Sequence, residues 1–234
     1  MENACHQLGM MLVPVIFHSA FDLKYIDLIK KNTQNIRMII KTLVETSYRG
    51  MYKLTPEEGS AFYIRKDYLP EGLFERIDVG VEFDDEETDS LLDAGLTCAV
   101  EFKAVSYLAR AEQSRFGLTR KLIEKKYDKK YVEAALTYLE WCGYLSDLRF
   151  ATAWLNTRKI NHYEGRSRLA AELAARGIVR EIAAQALDEF FSENDEEEIC
   201  RKAYEKLSKS KSGDKLTDAL MRAGFSFKQI KSLL

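Results

Sequence analysis

Three stretches of this 234-residue chain repeat one pattern, and no other feature of the sequence constrains the fold as tightly. Leu118–Leu136 reads LTRKLIEKKYDKKYVEAAL, Leu169–Leu187 reads LAAELAARGIVREIAAQAL and Leu216–Leu234 reads LTDALMRAGFSFKQIKSLL. Aligned without a gap, all three have Leu at the first, fifth and last positions. The ninth position holds Lys126, Gly177 and Gly224, followed by Tyr127, Ile178 and Phe225. The copies start 51 and 47 residues apart, so the repeating unit is a whole supersecondary element. Self-similarity on this scale marks a stacked array, in which no unit buries its apolar face alone.

Each copy reads as helix, turn, helix. Leu118 and Leu122 lie one helical turn apart on one face. Gly177 and Gly224 fall where a helix ends, in the left-handed backbone that glycine adopts at least cost. Asp128 and Ser226 are placed to cap the following helix. In the first copy that helix shows Val132, Ala135, Leu136 and Leu139 at i, i+3, i+4 and i+7. Val179 takes the cap position of the middle copy, which predicts the weakest of the three turns.

A further helix is expected before each pair. Ala104–Gln113 supplies one, with Val105, Leu108 and Ala109 turned inward. Ser146 caps a second running to about Ile160, with Phe150 and Trp154 one turn apart and Trp154 read as core. Asn194 caps the third, whose first turn gathers Asp195, Glu196, Glu197 and Glu198 where the helix dipole favours negative charge. The span 104–234 contains no proline, as uninterrupted helices require.

The expected fold is therefore mainly α: three tandem three-helix modules in an elongated array, covering 104–145, 146–192 and 193–234. A small strand-containing region, 49–103, precedes them. Met51–Leu54 and Ala61–Arg65 read as short strands around a turn at Pro56–Ser60. Asp84 reads as the cap of a helix beginning near Asp85, with Glu87 as its capping-box partner. Residues 1–48 match no element. Within them, Leu8–Phe17 is apolar but too short to span a bilayer, and it lacks the basic flank of a secretory signal. An extra helical segment or an upstream start codon are the expected explanations.

The ordered residues resemble a known family. Tyr107-Leu108-Ala109-Arg110 with Ser114 and Leu118, then Gly143-Tyr144-Leu145-Ser146-Asp147 and Arg149-Phe150-Ala151, are similar to the bacterial RecX recombination regulators. The resemblance continues through Glu172-Leu173, Arg176-Gly177-Ile178 and Ala186-Leu187 to the Gly224-Phe225-Ser226 turn and Ile230. Three positions depart from the family pattern: Ser146 and Val179 where acidic residues are usual, and Gly117 where Glu is usual. All three bear on caps. Gly117 in place of Glu removes a capping-box partner for Ser114 and costs about 1 kcal/mol against Ala inside a helix. The resemblance implies a protein that lodges in the groove of the RecA–DNA filament and limits its growth or promotes its disassembly. Recombination, DNA repair and the SOS response would be damped as a result.

Motifs for chemistry are few. His6, His18 and His162 are scattered without metal-ligand spacing, and the phosphate-loop, dinucleotide and nucleophile-elbow patterns are lacking. No cofactor or metal is expected, and the chain reads as a binding protein rather than an enzyme. The four cysteines, Cys5, Cys98, Cys142 and Cys200, are dispersed as reduced thiols would be, consistent with the cytoplasm, and Cys142 reads as a small core residue.

Charge locates the candidate contact surface. From Ala104 onward there are 24 Lys and Arg against 19 Asp and Glu, leaving 11 against 18 in the first 103 residues. The repeats are thus basic and the leader acidic, which favours an anionic partner for the repeats. Arg120, Lys121, Lys125, Lys126, Lys129 and Lys130 crowd the first copy. Arg158, Lys159, Arg166 and Arg168 surround Glu164 before and within the second. With Arg110, Arg115 and Arg176, these residues are the expected partner-binding set, since clustered cations neutralise phosphate and release counterions. Tyr107, Tyr127, Tyr131, Tyr138, Tyr144 and Tyr163 are candidates for stacking on bases, although tyrosine at helical spacing is usually packing. The expected partners are RecA and its DNA filament, engaged by a monomer. Two rivals stay open: direct binding of single- or double-stranded DNA by basic helix-turn-helix units, and a helical scaffold for some other protein.

Overall fold

The computed structural model describes residues 37–158 and 162–233, so Leu8–Phe17, Cys5, His6, His18, Lys159 and the end of the helix expected to reach Ile160 lie outside the described residues. Two compact units emerge, 37–110 with 119–144 and 111–118 with 145–233.

The first unit opens with a four-stranded antiparallel sheet in the order β3-β2-β1-β4. Its strands are β1 (Met38–Glu45), β2 (Met51–Pro56), β3 (Phe62–Arg65) and β4 (Glu82–Phe83). Alternation turns Ile40, Leu54, Phe62 and Ile64 to one buried face, where they pack with Phe83, Leu91 and Leu92. β1 lies where the sequence suggested no element. Its register shifts between Ile40 and Thr42, so the period of two breaks in mid-strand.

Helix α1 (Asp85–Leu108) follows, with Asp84 accepting from the Glu87 N–H at 2.9 Å and three acids in its first turn. It runs unbroken through the position at which the first module was expected to begin. The helix predicted over Ala104–Gln113 is the end of α1 followed by a turn. Ala104 is buried there, Val105 and Leu108 are half-buried, and Ala109 is exposed instead of facing inward. α2 (Arg115–Glu124) and α3 (Lys129–Trp141) complete the first copy, with the first turn of α2 belonging to the second unit. Asp128 caps α3 as expected, accepting from the Lys130 N–H at 2.8 Å.

In the second unit, α4 (Asp147–Arg158), α5 (Arg166–Ala174) and α6 (Arg180–Glu193) enclose Ala151, Leu155, Leu169, Leu173, Leu187 and Phe190. α7 (Glu196–Ser208), α8 (Asp214–Arg222) and α9 (Phe227–Lys231) enclose Cys200, Ala203, Leu216, Leu220, Phe225 and Ile230. Ser146 caps α4 through the Arg149 N–H, Ser226 forms a full capping box with Gln229, and Val179 gives no cap bond. Two expectations change. Asp195, not Asn194, caps α7, because the Asn194 amide donates back to the Phe190 carbonyl. On α4 the core residues are Ala151 and Leu155, while Phe150 and Trp154 flank them half-buried. Cys142 is likewise half-buried rather than core, and Cys98 and Cys200 are buried.

The repeat survives at the level of single hydrogen bonds. In each copy the N–H at the tenth position donates to the carbonyl of the fifth: Tyr127 to Leu122 (3.3 Å), Ile178 to Leu173 (3.1 Å) and Phe225 to Leu220 (3.3 Å). The residue between, Lys126, Gly177 or Gly224, is left-handed, with φ of 69°, 79° and 98°. This is the Schellman closure of a helix.

Two joints in the second unit obey a common rule. The residue four before the first repeat leucine donates to the carbonyl at the eighth position of the next copy: Ser114 Oγ to Arg176 (2.9 Å) and Gly165 N–H to Ala223 (2.8 Å). The following backbone N–H donates to a carboxylate in the first turn of the next module: Arg115 to Asp147 (2.8 Å) and Arg166 to Glu196 (3.1 Å). Each module thus caps the second helix of the one before it.

Candidate partner-binding surfaces

The cations singled out in the sequence fall into two environments. The first group is largely open. Arg110 is exposed just beyond α1. On α2, Leu118 and Leu122 are fully buried, which leaves Arg120 and Lys121 on the outer side. Arg120 meets Glu124 only at 3.8 Å with both side chains about two-thirds exposed, a pair worth little in water. The Lys121 ammonium lies 5.5 Å from the centre of the Tyr107 ring. Lys125, Lys126 and Lys129 are exposed along the turn between α2 and α3. Lys130 stands apart, because it is paired with Asp93.

The second group is tied into the fold. Arg158 grips Glu164 with two hydrogen bonds of 2.9 and 2.8 Å. Glu172 accepts from Arg168 at 2.6 Å and Arg176 at 2.7 Å. The Arg176 hydrogen bond holds the Glu172 carboxyl below the usual carboxylate range, with burial opposing and the Arg168 and Arg176 charges assisting. Arg176 and Arg158 both lie on the Trp154 ring, at 4.4 and 5.6 Å. Arg166 pairs with Asp188 at 2.6 Å and covers Phe191. Arg115, half-buried at the start of α2, uses its backbone N–H in the first joint. The structure therefore stacks Arg158 and Arg176 on one tryptophan, joins Arg168 to Arg176 through Glu172, and sends Arg166 to a different acid.

The tyrosines are mostly structural. Tyr131 donates to Asp93 at 2.6 Å, Tyr163 packs on the α7–α9 core, and Tyr127 is half-buried. Tyr144 is the most exposed of the six, at 42%.

One feature of the first unit has no signal in the sequence. Arg65 at the end of β3 and Glu101 in α1 form a bidentate pair, 3.0 and 2.6 Å, with side chains only 8% and 7% exposed. Arg65 also donates to the Arg49 carbonyl at 3.0 Å, and Tyr68 donates to Glu101 at 2.8 Å. The Tyr138 ring lies 4.5 Å beneath the guanidinium. Burial tends to discharge Arg65, but the hydrogen bond and charge of Glu101 more than offset it, so the guanidinium stays charged. Burial pushes the Tyr68 and Tyr138 phenols well above their ordinary value, and likewise the Cys98 thiol. The pair fastens the sheet to α1. Its members lie 36 positions apart, beyond any local pattern.

Among the described residues, no group of three or more His, Cys, Asp or Glu is arranged to hold a metal ion. No helix among them is long and apolar enough to cross a membrane.

Comparison with known proteins gives a consistent picture. Residues 146–187 match the model of the second three-helix domain of RecX. The regulatory protein RecX of Treponema pallidum strain Nichols is 36% identical over 149 residues, covering 63% of this chain and 91% of that protein. The regulatory protein RecX of Clostridioides difficile is 27% identical over 161 residues, covering 66% and 76% respectively. A crystal structure of a regulatory protein RecX aligns with a TM-score of 0.66 over 83% of this chain and 97% of that one, at 20% identity. RecX from Lactobacillus salivarius aligns with a TM-score of 0.52 over 58% and 93%, at 21% identity. At those identities the structural likeness speaks for the helical-repeat fold alone.

Proposed function

This chain belongs to the RecX family of regulatory proteins, and on that premise we propose that it binds RecA or the RecA–DNA filament and restrains filament growth, ATP hydrolysis and recombination. In this reading it acts as a cytoplasmic monomer by binding, without chemistry of its own. It would thereby damp DNA repair by recombination and the SOS response. The observation that carries the reading is the open cationic run of Arg120, Lys121, Lys125, Lys126 and Lys129 on and after α2. Side chains exposed there present positive charge toward an anionic surface. Arg158, Arg166, Arg168 and Arg176 belong to the same proposed contact set with Arg110 and Arg115. Because four of them are engaged by Glu164, Glu172 and Asp188, their part is to shape the surface more than to supply net charge. A chain of small modules suits a filament, since several weak contacts held by one molecule reinforce one another.

The test is RecA's DNA-dependent ATP hydrolysis, followed while this protein is titrated well below RecA's concentration. Inhibition at substoichiometric amounts supports action on growing or dissociating filaments. Tight, steeply salt-dependent affinity for naked DNA with no effect on RecA transfers the same cationic run to the DNA-binding reading.

A further inference from the structure

The first unit carries a recess that the proposed function leaves unused. Beside α1, α3 and the 3-10 turn at Lys66–Tyr68 lies a cleft of about 780 Å³. Tyr68, Tyr138, Trp141 and Pro70 give it apolar walls. Trp141, in the last turn of α3, is 70% exposed, so its indole can be reached by a partner. Its ring lies 6.0 Å from that of Tyr138, which is itself covered by the Arg65 guanidinium at 4.5 Å. The aromatic pair therefore rests on the buried Arg65–Glu101 linkage and is held in place before any partner arrives.

The charge of the cleft selects the kind of partner. Its lining includes three carboxylates, Asp67, Asp93 and Glu133, against one ammonium, Lys130, a balance of two negative charges. Lys130 is itself paired with Asp93. This is the opposite sign to the cationic run on α2, and nucleic acid is repelled from such a lining. An exposed indole in a cleft that Asp67 also lines suits an Arg or Lys side chain, which stacks on the ring while the lining supplies counter-charge.

We infer that this cleft binds a cationic segment of a protein partner, with Trp141 as its stacking platform and Asp67 supplying counter-charge. The inference goes beyond the proposed function and stands whether or not that partner is RecA. A hexa-arginine peptide titrated into the full chain by calorimetry tests it without RecA present. The expected result is saturable binding that weakens with salt and falls at least about fivefold in Trp141→Ser and in Asp67→Lys. Lys125→Glu, on the cationic run, should leave the affinity unchanged, and circular dichroism should show all three variants folded. Unsaturable binding, or an affinity equal to the parent's in the Trp141→Ser or the Asp67→Lys protein, overturns the inference. So does binding of a thymidine oligonucleotide, or self-association of the chain, that Trp141→Ser abolishes.

Discussion

The Ser114 hydroxyl donates to the Arg176 carbonyl at 2.9 Å while accepting the Gly117 N–H at 3.1 Å. One buried side chain thus caps its own helix and joins it to the next module. Its counterpart at the following joint is the Gly165 N–H on the Ala223 carbonyl. Replacing Ser114 by Ala removes both bonds from a site that is 3% exposed, at an expected cost of about 1–2 kcal/mol. Urea denaturation measures this directly. A midpoint unchanged from the parent protein would contradict the role given to the joint.

The ninth repeat position explains its own residues. A Cβ on Gly177 would collide with the Phe116 side chain, and one on Gly224 with the backbone at Arg168. Lys126, whose φ is also left-handed, is exposed, so only the conformational cost applies, about 1 kcal/mol. Lys126→Gly should therefore raise stability by up to that amount. Gly177→Ala should lower it by more, since collision adds to the conformational cost. Thermal melts of the two variants should move in opposite directions, and a shared direction would refute the explanation.

Breaking the buried ion pair on one side should be severe. Glu101→Gln leaves the Arg65 guanidinium buried without its counter-charge, for an expected loss of about 3–5 kcal/mol. Arg65→Met combined with Glu101→Leu removes both charges and should recover much of that loss. A double-mutant cycle reports the coupling, and additive losses would show that the two groups act independently.

High pH should weaken the first unit through the same cluster. Burial, then the charge and hydrogen bond of Glu101, raise the Tyr68 phenol above its unfolded value of 10.0. A raised folded-state value means that stability is intact below pH 10 and declines as the pH climbs above it, because only the unfolded phenol ionises readily. Denaturation midpoints taken at increasing pH should fall less steeply above pH 10 in Tyr68→Phe than in the parent. Parallel declines would exclude Tyr68 as a source.

The array is the most legible part of the fold, because its signal is local and recurs. Leucines at positions one and five, the left-handed ninth position and the caps Asp128, Ser146 and Ser226 each depend on neighbours within a few residues. Where two adjacent residues can both cap, as Asn194 and Asp195, the sequence leaves the choice to geometry. β1 is obscured by the bulge that breaks its alternation at Ile40–Thr42, and β4 is too short at two residues for any period to show. The cationic candidates are visible as a composition, but their state is not. Glu172 lies four positions from both Arg168 and Arg176, a spacing that does announce pairing. The Arg166–Asp188 pair spans 22 positions and is set only by the packing of α5 on α6.

The central claim is that exposed cations on and just after α2 carry the contact with RecA, and charge reversal tests it most directly. Lys121→Glu combined with Lys125→Glu alters two exposed side chains and should leave helicity intact. Arg166→Glu with Arg168→Glu would also break the pairs with Asp188 and Glu172. The measurement is RecA's DNA-dependent ATPase rate against increasing amounts of the Lys121/Lys125 variant. The account predicts that inhibition by the parent protein is lost in this variant while its circular dichroism is unchanged. Undiminished inhibition by the folded variant would contradict it.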